Sequence, residues 1–353
     1  MHMADALLSP AVAGTMFAAS GIAAGISVYK LKKEDDPAKI PTMAVTAALV
    51  FAGQMINYTI PGTGSSGHLC GGMLLSALLG PYAGFLSMIT VLVIQCLFFA
   101  DGGLLALGAN IWNMAFYGCF VGYFLLWRPI VTSRLFGGGE GNKGLKGRIA
   151  LASVLGCVIT LQMGAFSVVL ETTLSGITEL PFAAFAGLMQ PIHLAIGLIE
   201  GLITAAVLIF ISEARPELLR DVQAAEAKKS AKLSLGATVF ILALMAAVVG
   251  GGLSHLASAY PDGLEWALFG NADEGYNANM GLDEESFGTR SEAAERAEKI
   301  QETTAFLPDY AFADSDSPAG TTVSGLVGSA MVAAAAFLIC VLGRFFRRKE
   351  KTA

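Results

Sequence analysis

The chain has 353 residues, of which 54% are hydrophobic and 14% charged, and its mean hydropathy is +0.63. A soluble protein carries about a quarter charged residues, so this composition predicts a polytopic membrane protein and excludes a disordered chain and a secreted disulfide scaffold. The net charge of -6 leaves no global basic footprint for a nucleic acid.

Apolar stretches that approach or exceed the length needed to cross a bilayer, about 20 residues for a helix, recur along the chain. They cover 10–29, 41–60, 104–127, 149–172, 183–212, 235–257 and 323–343. A further apolar stretch, 69–100, is interrupted at Gly80-Pro81, where proline tends to break a helix. Because lipid tolerates only internally satisfied backbone, all of these are predicted to be helical.

The basic residues predict the orientation of these helices. Lys and Arg concentrate in four segments, 30–40, 128–149, 213–234 and 344–353, which the positive-inside rule assigns to the cytoplasm. The stretch 69–100 must then return to its starting side as a hairpin of short helices. The predicted fold is an all-α polytopic membrane protein: a seven-segment bundle followed by two C-terminal transmembrane helices, with the N-terminus outside and the C-terminus inside.

Composition also divides the chain. Residues 1–212 form the predicted bundle, 213–234 a charged cytoplasmic linker, and 235–345 a module of two spans that flank an acidic extracytoplasmic loop, 258–322. No basic residue precedes the first apolar run, so the N-terminus is not expected to be a signal peptide. Met1 is expected to be retained with a free α-amine.

Two of the four histidines, His2 and His68, are predicted to lie on the outer side. The α-amine of Met1 and the amide nitrogen and imidazole of His2 are joined by short chelate links, and His68 could complete a square of nitrogens. Such a square suits Ni(II) or Cu(II) and could also hold Co(II), whereas structural zinc prefers a tetrahedron. The alternative is a frayed N-terminus and a polar loop histidine.

Several polar side chains fall inside the predicted spans. Such groups usually face the protein interior or a pathway, and three interpretations remain open: hydrogen bonds between helices, support for a metal site, or an intramembrane enzyme that uses His193 and Glu200. The candidates are Gln95, Asn110, Asn113, Gln162, His193 and Glu200. The sequence has no GxxxxGK[ST] motif, so uphill transport would need an ATPase on another polypeptide.

Four motifs resemble the NikM/CbiM family, the substrate-capture components of energy-coupling-factor nickel and cobalt transporters. Residues 1–8, MHMADALL, resemble its MHIxDGFL opening, and 67–72, GHLCGG, its GHLLGG motif. Residues 107–114, LGANIWNM, and 193–201, HLAIGLIEG, resemble two further family motifs. In the tail, Pro261-Asp262-Gly263-Leu264-Glu265 resembles the PDGLE segment of a small accessory subunit of nickel transporters, the NikN-like module.

This resemblance implies a multi-pass protein of the cell (inner) membrane that captures Ni(II) or Co(II) as a transported substrate. The implied ligands are the Met1 amine, the His2 amide and imidazole, and the His68 imidazole. The implied partners are a transmembrane coupling (T) protein and cytoplasmic ATPase subunits, and the chain itself is expected neither to bind nucleotide nor to act as an enzyme. Ala6 and Met3-Ala4 depart from the family opening. Nickel is the expected substrate, with cobalt uptake for cobalamin biosynthesis as the alternative.

Overall fold

A computed structural model describes residues 1–34, 39–133, 144–178, 180–222, 233–276, 291–312, 317 and 319–352. Part of the predicted linker, 223–232, lies outside the described residues. So do parts of the predicted acidic loop, namely 277–290, 313–316 and 318.

The described chain is predominantly helical. In chain order its helices are α1 Pro10–Lys32, α2 Lys39–Gln54, α3 Gly72–Leu79, α4 Pro81–Phe99, α5 Leu107–Thr132, α6 Leu145–Ser175, α7 Phe182–Ala214, α8 Leu235–Gly251, α9 Gly263–Phe269, α10 Glu292–Thr304 and α11 Ala319–Thr352.

Among the described residues, six helices are long and apolar enough to cross a membrane. These are α1, α4, α5, α6, α7 and the part Ala319–Val341 of α11, while Ile40–Gln54 and Leu235–Gly251 are shorter apolar helices. The predicted class, a helical protein with several membrane-spanning segments, is confirmed.

The break predicted at Gly80-Pro81 is also present. Helix α3 ends at Leu79, Gly80 adopts φ 84° and ψ 166°, and Pro81 begins α4. Positive φ favours glycine, and proline is well placed at a first helical position. All eight residues of α3 are buried. The short helix reaches the interior because Gly72 lies against Gly118 of α5, where a Cβ on Gly72 would come within 3.1 Å of the Gly118 Cα.

The predicted span 41–60 is too long at its C-terminal end. Helix α2 ends at Gln54, and Tyr58–Ile60 forms strand β1, which pairs antiparallel with strand β2, Ser65–Gly67. Tyr58, Thr59 and Ile60 are aromatic or β-branched, residue types that favour strands. This two-stranded ribbon leads directly into His68 at one end of the bundle, which is called the site end below.

The two C-terminal helices, α8 and α11, pack against α2 and against each other. Gly250 and Gly325 permit the close approach of α8 and α11, since a Cβ on Gly250 would lie 3.1 Å from the Gly325 carbonyl oxygen. Described residues between these helices, among them Asp262 and Tyr310, lie at the site end. The 3-residue turn Pro216–Leu218 follows α7 at the opposite end, where Arg220 pairs with Glu34 at 2.8 Å.

Candidate metal centre

Three predicted donors lie together at the site end. The Met1 amine is 3.3 Å from Nε2 of His68, and the His2 and His68 rings stack with their centroids 5.2 Å apart and an interplanar angle of 18°. The side chains of Met1 and His2 are 5% and 8% exposed. An amine and two imidazoles are thereby gathered in a place that is almost closed to solvent.

The ring orientation of His68 follows from its neighbours. Its Nδ1 lies 2.9 Å from the Leu69 carbonyl oxygen, which can only accept, so Nδ1 carries the proton and Nε2 keeps its lone pair toward the amine. A carbonyl that fixes the tautomer in this way is the usual support of a metal-binding histidine. Burial, followed by the positive charge of the amine, lowers the pKa of His68 to about 3, so the ring is neutral at ordinary pH.

Glu200 fixes the turn that follows His68. Its two carboxylate oxygens accept the backbone N–H groups of Cys70 and Gly71 at 2.8 and 2.9 Å. Gly71 has φ +84°, and a Cβ there would lie 2.4 Å from Cγ1 of Val50. Because Glu200 belongs to α7, the turn is held by the bundle rather than by its own strand.

Gln95 supports the same turn through an intermediate residue. Its Nε2 donates to Oε1 of Gln54 at 2.8 Å, and Gln54 Nε2 donates to the Cys70 carbonyl oxygen at 2.8 Å. Two helices, α2 and α4, are thereby linked to the residue two positions after His68.

The N-terminal segment is held by the start of α5. Met3 N donates to Oδ1 of Asn110 at 2.7 Å, and Asn110 Nδ2 donates to the Met3 carbonyl oxygen at 3.2 Å. Asn113 Nδ2 donates to Oε2 of Glu171 at 2.7 Å and lies 3.6 Å from Sδ of Met3. The paired hydrogen bonds fix the position of the N-terminal segment in the bundle and thereby position Met1 and His2.

His2 has a carboxylate partner, Asp101, whose Oδ1 is 3.1 Å from His2 Nδ1. The other oxygen of Asp101 accepts the hydroxyl of Tyr310 at 2.5 Å. Asp101 lies just after α4, and Tyr310 comes from the segment before α11. Tyr310 is therefore linked to His2 through a single intervening side chain, that of Asp101.

Asp262 contacts the proposed amine ligand directly. The Met1 amine donates to Oδ2 of Asp262 at 2.6 Å, while Oδ1 accepts the N–H groups of Leu264 and Glu265 at 2.7 and 2.9 Å. The backbone N–H of Asp262 donates to Oε2 of Glu265, which completes a capping box at the start of α9. The sequence places Asp262 in the PDGLE motif, but only the structure shows that it reaches Met1.

The charges of this pair shift each other's pKa. Burial alone would lower the pKa of the Met1 amine, but the charge of Asp262 and its hydrogen bond raise it overall. Burial alone would raise the pKa of Asp262, but the positive charge of the amine lowers it overall. The pair is consequently ionised through the neutral pH range.

These groups border a cavity of about 10 Å³, close to the space of a single water molecule. It is lined by Met1, Gly67, His68, Cys70, Leu161, His193, Ile196, Asp262 and Gly263. His193 is 1% exposed; its Nδ1 donates to the Met189 carbonyl oxygen at 2.8 Å, and its Nε2 has no hydrogen-bond partner among the described residues. The space suits one ion rather than an organic molecule.

Sequence reasoning missed Asp101, Tyr310, Gln54 and Glu171. Asp101 offered a signal, since it is a lone acid between an apolar stretch and a glycine pair. Glu171 lay at the edge of a predicted span and was not considered. Among the described residues no group of three or more His, Cys, Asp or Glu side chains could hold a metal ion.

The helices and the buried nitrogen cluster define a multi-pass membrane protein with a small cavity at one end. Residues 2–218 match the family model of the cobalt uptake substrate-specific transmembrane region, CbiM, and 236–345 match the PDGLE domain. The chain belongs to the NikM/CbiM family of nickel and cobalt transport proteins, in a fused form that carries a PDGLE domain.

Individual relatives agree with this assignment. The chain is 34% identical over 340 residues to the putative fused nickel transport protein NikMN of Archaeoglobus fulgidus, covering 96% of this chain and 98% of that protein. It is 31% identical to the cobalt transport protein CbiM of Sorangium cellulosum, covering 57% and 86%. A crystal structure of a transition metal transporter matches with a TM-score of 0.52 at 30% identity, covering 65% of this chain and 98% of that one.

Proposed function

We propose that the chain is the metal-capture subunit of an energy-coupling-factor importer, which binds Ni(II) or Co(II) through the Met1 amine, the His2 amide and imidazole, and His68. The observation that carries this proposal is the cluster in which the Met1 amine lies 3.3 Å from His68 Nε2, beside the stacked His2 ring. An amine, an ionised amide and imidazoles form a nitrogen set suited to late first-row ions.

Chelation by the His2 ring in a short ring with its own amide uses Nδ1. In the structure this atom contacts Asp101 at 3.1 Å. Metal binding is therefore proposed to exchange the Asp101 contact of His2 for a metal bond. Asn110 and Glu200 are proposed to hold the two backbone segments that carry the donors, and Asn113, Gln95 and His193 to line or support the same cavity.

The expected orientation places this site on the outer face, with the N-terminus outside and the C-terminus in the cytoplasm. Basic residues at the opposite end support it: Arg128, Lys146, Arg215 and Arg220 all lie there, paired with acids. We propose residues 1–212 as the capture domain, 213–234 as a cytoplasmic linker and 235–345 as the accessory module. The proposed partners are a transmembrane coupling protein and cytoplasmic ATPases in the cell (inner) membrane.

Nickel is the proposed substrate, because a relative that matches across nearly the whole chain is named for nickel. Cobalt uptake for cobalamin biosynthesis is the second candidate, favoured by the relatives named for cobalt. The enzyme alternative has less support, since both oxygens of Glu200 accept backbone N–H groups and are not directed at a bond to be broken.

The test is a competitive calorimetric titration of Ni(II) and Co(II) into the purified full-length chain. His2→Ala and His68→Ala should each abolish high-affinity binding. His255→Ala is the matched control, because His255 is exposed and contacts Thr322 away from the cavity. High-affinity binding that survives in both His2→Ala and His68→Ala would refute the proposed site.

A further inference from the structure

The PDGLE segment forms part of the wall of the proposed capture site. Ser66 in β2 donates its N–H to the Pro261 carbonyl oxygen at 2.8 Å and its hydroxyl to the Tyr260 carbonyl oxygen at 2.7 Å. Asn271 donates to the Gly64 carbonyl oxygen at 2.7 Å. The PDGLE segment and the nearby residues Tyr260 and Asn271 are therefore hydrogen-bonded to both the strand that leads into His68 and the loop before it.

Close packing leaves this segment little freedom. A Cβ on Gly263 would lie 2.5 Å from Cγ2 of Ile192 and 3.2 Å from Cε1 of His193. Gly263 therefore seats the start of α9 directly on α7. The neighbouring Asp262 is thereby held in a fixed position at the cavity that Met1 also lines.

The two carboxylate oxygens of Asp262 have separate tasks. Oδ1 caps α9 through Leu264 and Glu265, and Oδ2 alone accepts the Met1 amine. Capping would be served equally well by Asn or Ser. The carboxylate is needed only for the second contact, in which a buried ammonium meets its counter-charge.

We propose that Asp262 is a positioning residue by which the PDGLE domain acts on metal capture: it holds the N-terminal amine in the cavity and supplies the negative charge that a captured dication requires. A dication bound to one ionised amide leaves a net positive charge in a nearly closed cavity. An unpaired buried charge is costly, so a fixed carboxylate beside the amine favours the loaded site. This inference rests on the proposed function.

The first measurement uses the metal-free, purified full-length chain and needs no metal. An amine-reactive acylating reagent is applied at neutral pH, and mass spectrometry of the N-terminal peptide gives the rate of modification at Met1. Asp262→Asn keeps the cap, because its amide oxygen can replace Oδ1, but it cannot accept the amine at Oδ2. We expect the Met1 amine to react several-fold faster in Asp262→Asn and in Asp262→Ser than in the wild type.

Glu265→Gln is the matched control. It converts the carboxyl group three residues away into an amide, and Gln at this position can still complete the capping box. Its Met1 amine should react at the wild-type rate. A wild-type rate in both Asp262 variants would overturn the proposal.

The second measurement is the dissociation constant for Ni(II) in the same variants. It should rise about 10–100-fold in Asp262→Asn, the usual effect of losing a residue that supports metal ligands, and stay near wild type in Glu265→Gln. An unchanged or tighter dissociation constant in Asp262→Asn, with binding lost in His68→Ala, would overturn this inference alone. Wild-type binding in His2→Ala and His68→Ala would instead remove the proposed site on which the inference rests.

Discussion

At the scale of single residues, the candidate site is built from two backbone segments held by side chains of the bundle. Asn110 binds both polar main-chain groups of Met3, and Glu200 binds two successive N–H groups after His68. The proposed ligands include main-chain nitrogens, whose positions side chains can set only by holding the backbone. Under the proposed function, Asn110 and Glu200 are therefore expected to affect metal binding without touching the metal.

Glu200→Gln should weaken Ni(II) binding by about 10–100-fold, the range seen when supporting residues of metal ligands are changed. The amide can accept one N–H group, but its NH₂ group would face the other. Calorimetry on the purified variant measures the change. Glu213→Gln is the control in the same helix, since Glu213 pairs with Lys146 at the opposite end. Equal affinities in the two variants would contradict this role of Glu200.

Metal affinity should increase with pH through the neutral range. The pKa of the Met1 amine is raised above its ordinary value of 8.0, so the amine is protonated at pH 7 and a metal must displace that proton. His68, with its pKa lowered to about 3, adds no dependence there. Titrations between pH 6 and 8 should therefore give a falling dissociation constant for Ni(II). A constant value, or an inflection near 6.5 typical of an unperturbed histidine, would argue against an amine ligand.

At the scale of elements, the ribbon β1–β2 and the turn after it carry His68 between α7 and the PDGLE segment. Gly67 and Gly71 allow this close packing: a Cβ on Gly67 would lie 2.4 Å from Cγ1 of Ile196, and Gly71 has a positive φ. The turn has no room to adjust, so its geometry is set by its neighbours.

Gly71→Ala should lower both the thermal stability of the protein and its affinity for Ni(II). The new methyl group would clash with Val50. The alanine would also have to adopt the positive φ of Gly71, which costs a non-glycine residue about 1–3 kcal/mol. Gly187→Ala, in α7, is the control, because a Cβ there has nothing within 4 Å and alanine favours a helix interior. Wild-type binding in Gly71→Ala would show that the turn does not position His68.

The sequence predicts some elements of the fold and of the candidate site and misses others. The helices, the break at Gly80-Pro81 and the candidate residues His2, His68 and Asp262 could be taken from the sequence, because apolar length and local motifs are written in neighbouring residues. Strand β1 falls within the predicted span 41–60 because Tyr58 and Ile60 continue the run of largely apolar residues from α2. The Met1–Asp262 pair joins residues 261 positions apart, a contact that only the packing of the bundle creates.

At the scale of the whole molecule, described residues between the two C-terminal helices contact the site end of the bundle. Asp262 reaches Met1, and Tyr310 reaches Asp101, which holds His2. The fused PDGLE domain therefore contacts Met1 directly and is linked to His2 through Asp101, so a change in its position would alter the surroundings of both proposed ligands.

The proposed orientation can be tested with single introduced cysteines. The native cysteines are all buried, so they should react slowly with a membrane-impermeant maleimide. Asp273 is exposed and lies at the site end, so Asp273→Cys should be labelled from outside intact cells. Lys146 is exposed at the opposite end, so Lys146→Cys should be labelled only after the membrane is permeabilised. The reverse pattern would invert the proposed topology.

The claim that the N-terminal amine binds the metal is tested most directly by the Ni(II) dissociation constant of a chain with an uncleaved Gly-Pro dipeptide added before Met1. The extension moves the free amine away from the His2 amide and turns the Met1 nitrogen into an amide. The proline nitrogen has no N–H to ionise, so the displaced amine cannot form a new chelate with the His2 ring through successive amide nitrogens. Mass spectrometry establishes that the added residues are retained. We predict that high-affinity binding is lost in the extended chain and present in the native one; equal affinities in the two chains would contradict the claim.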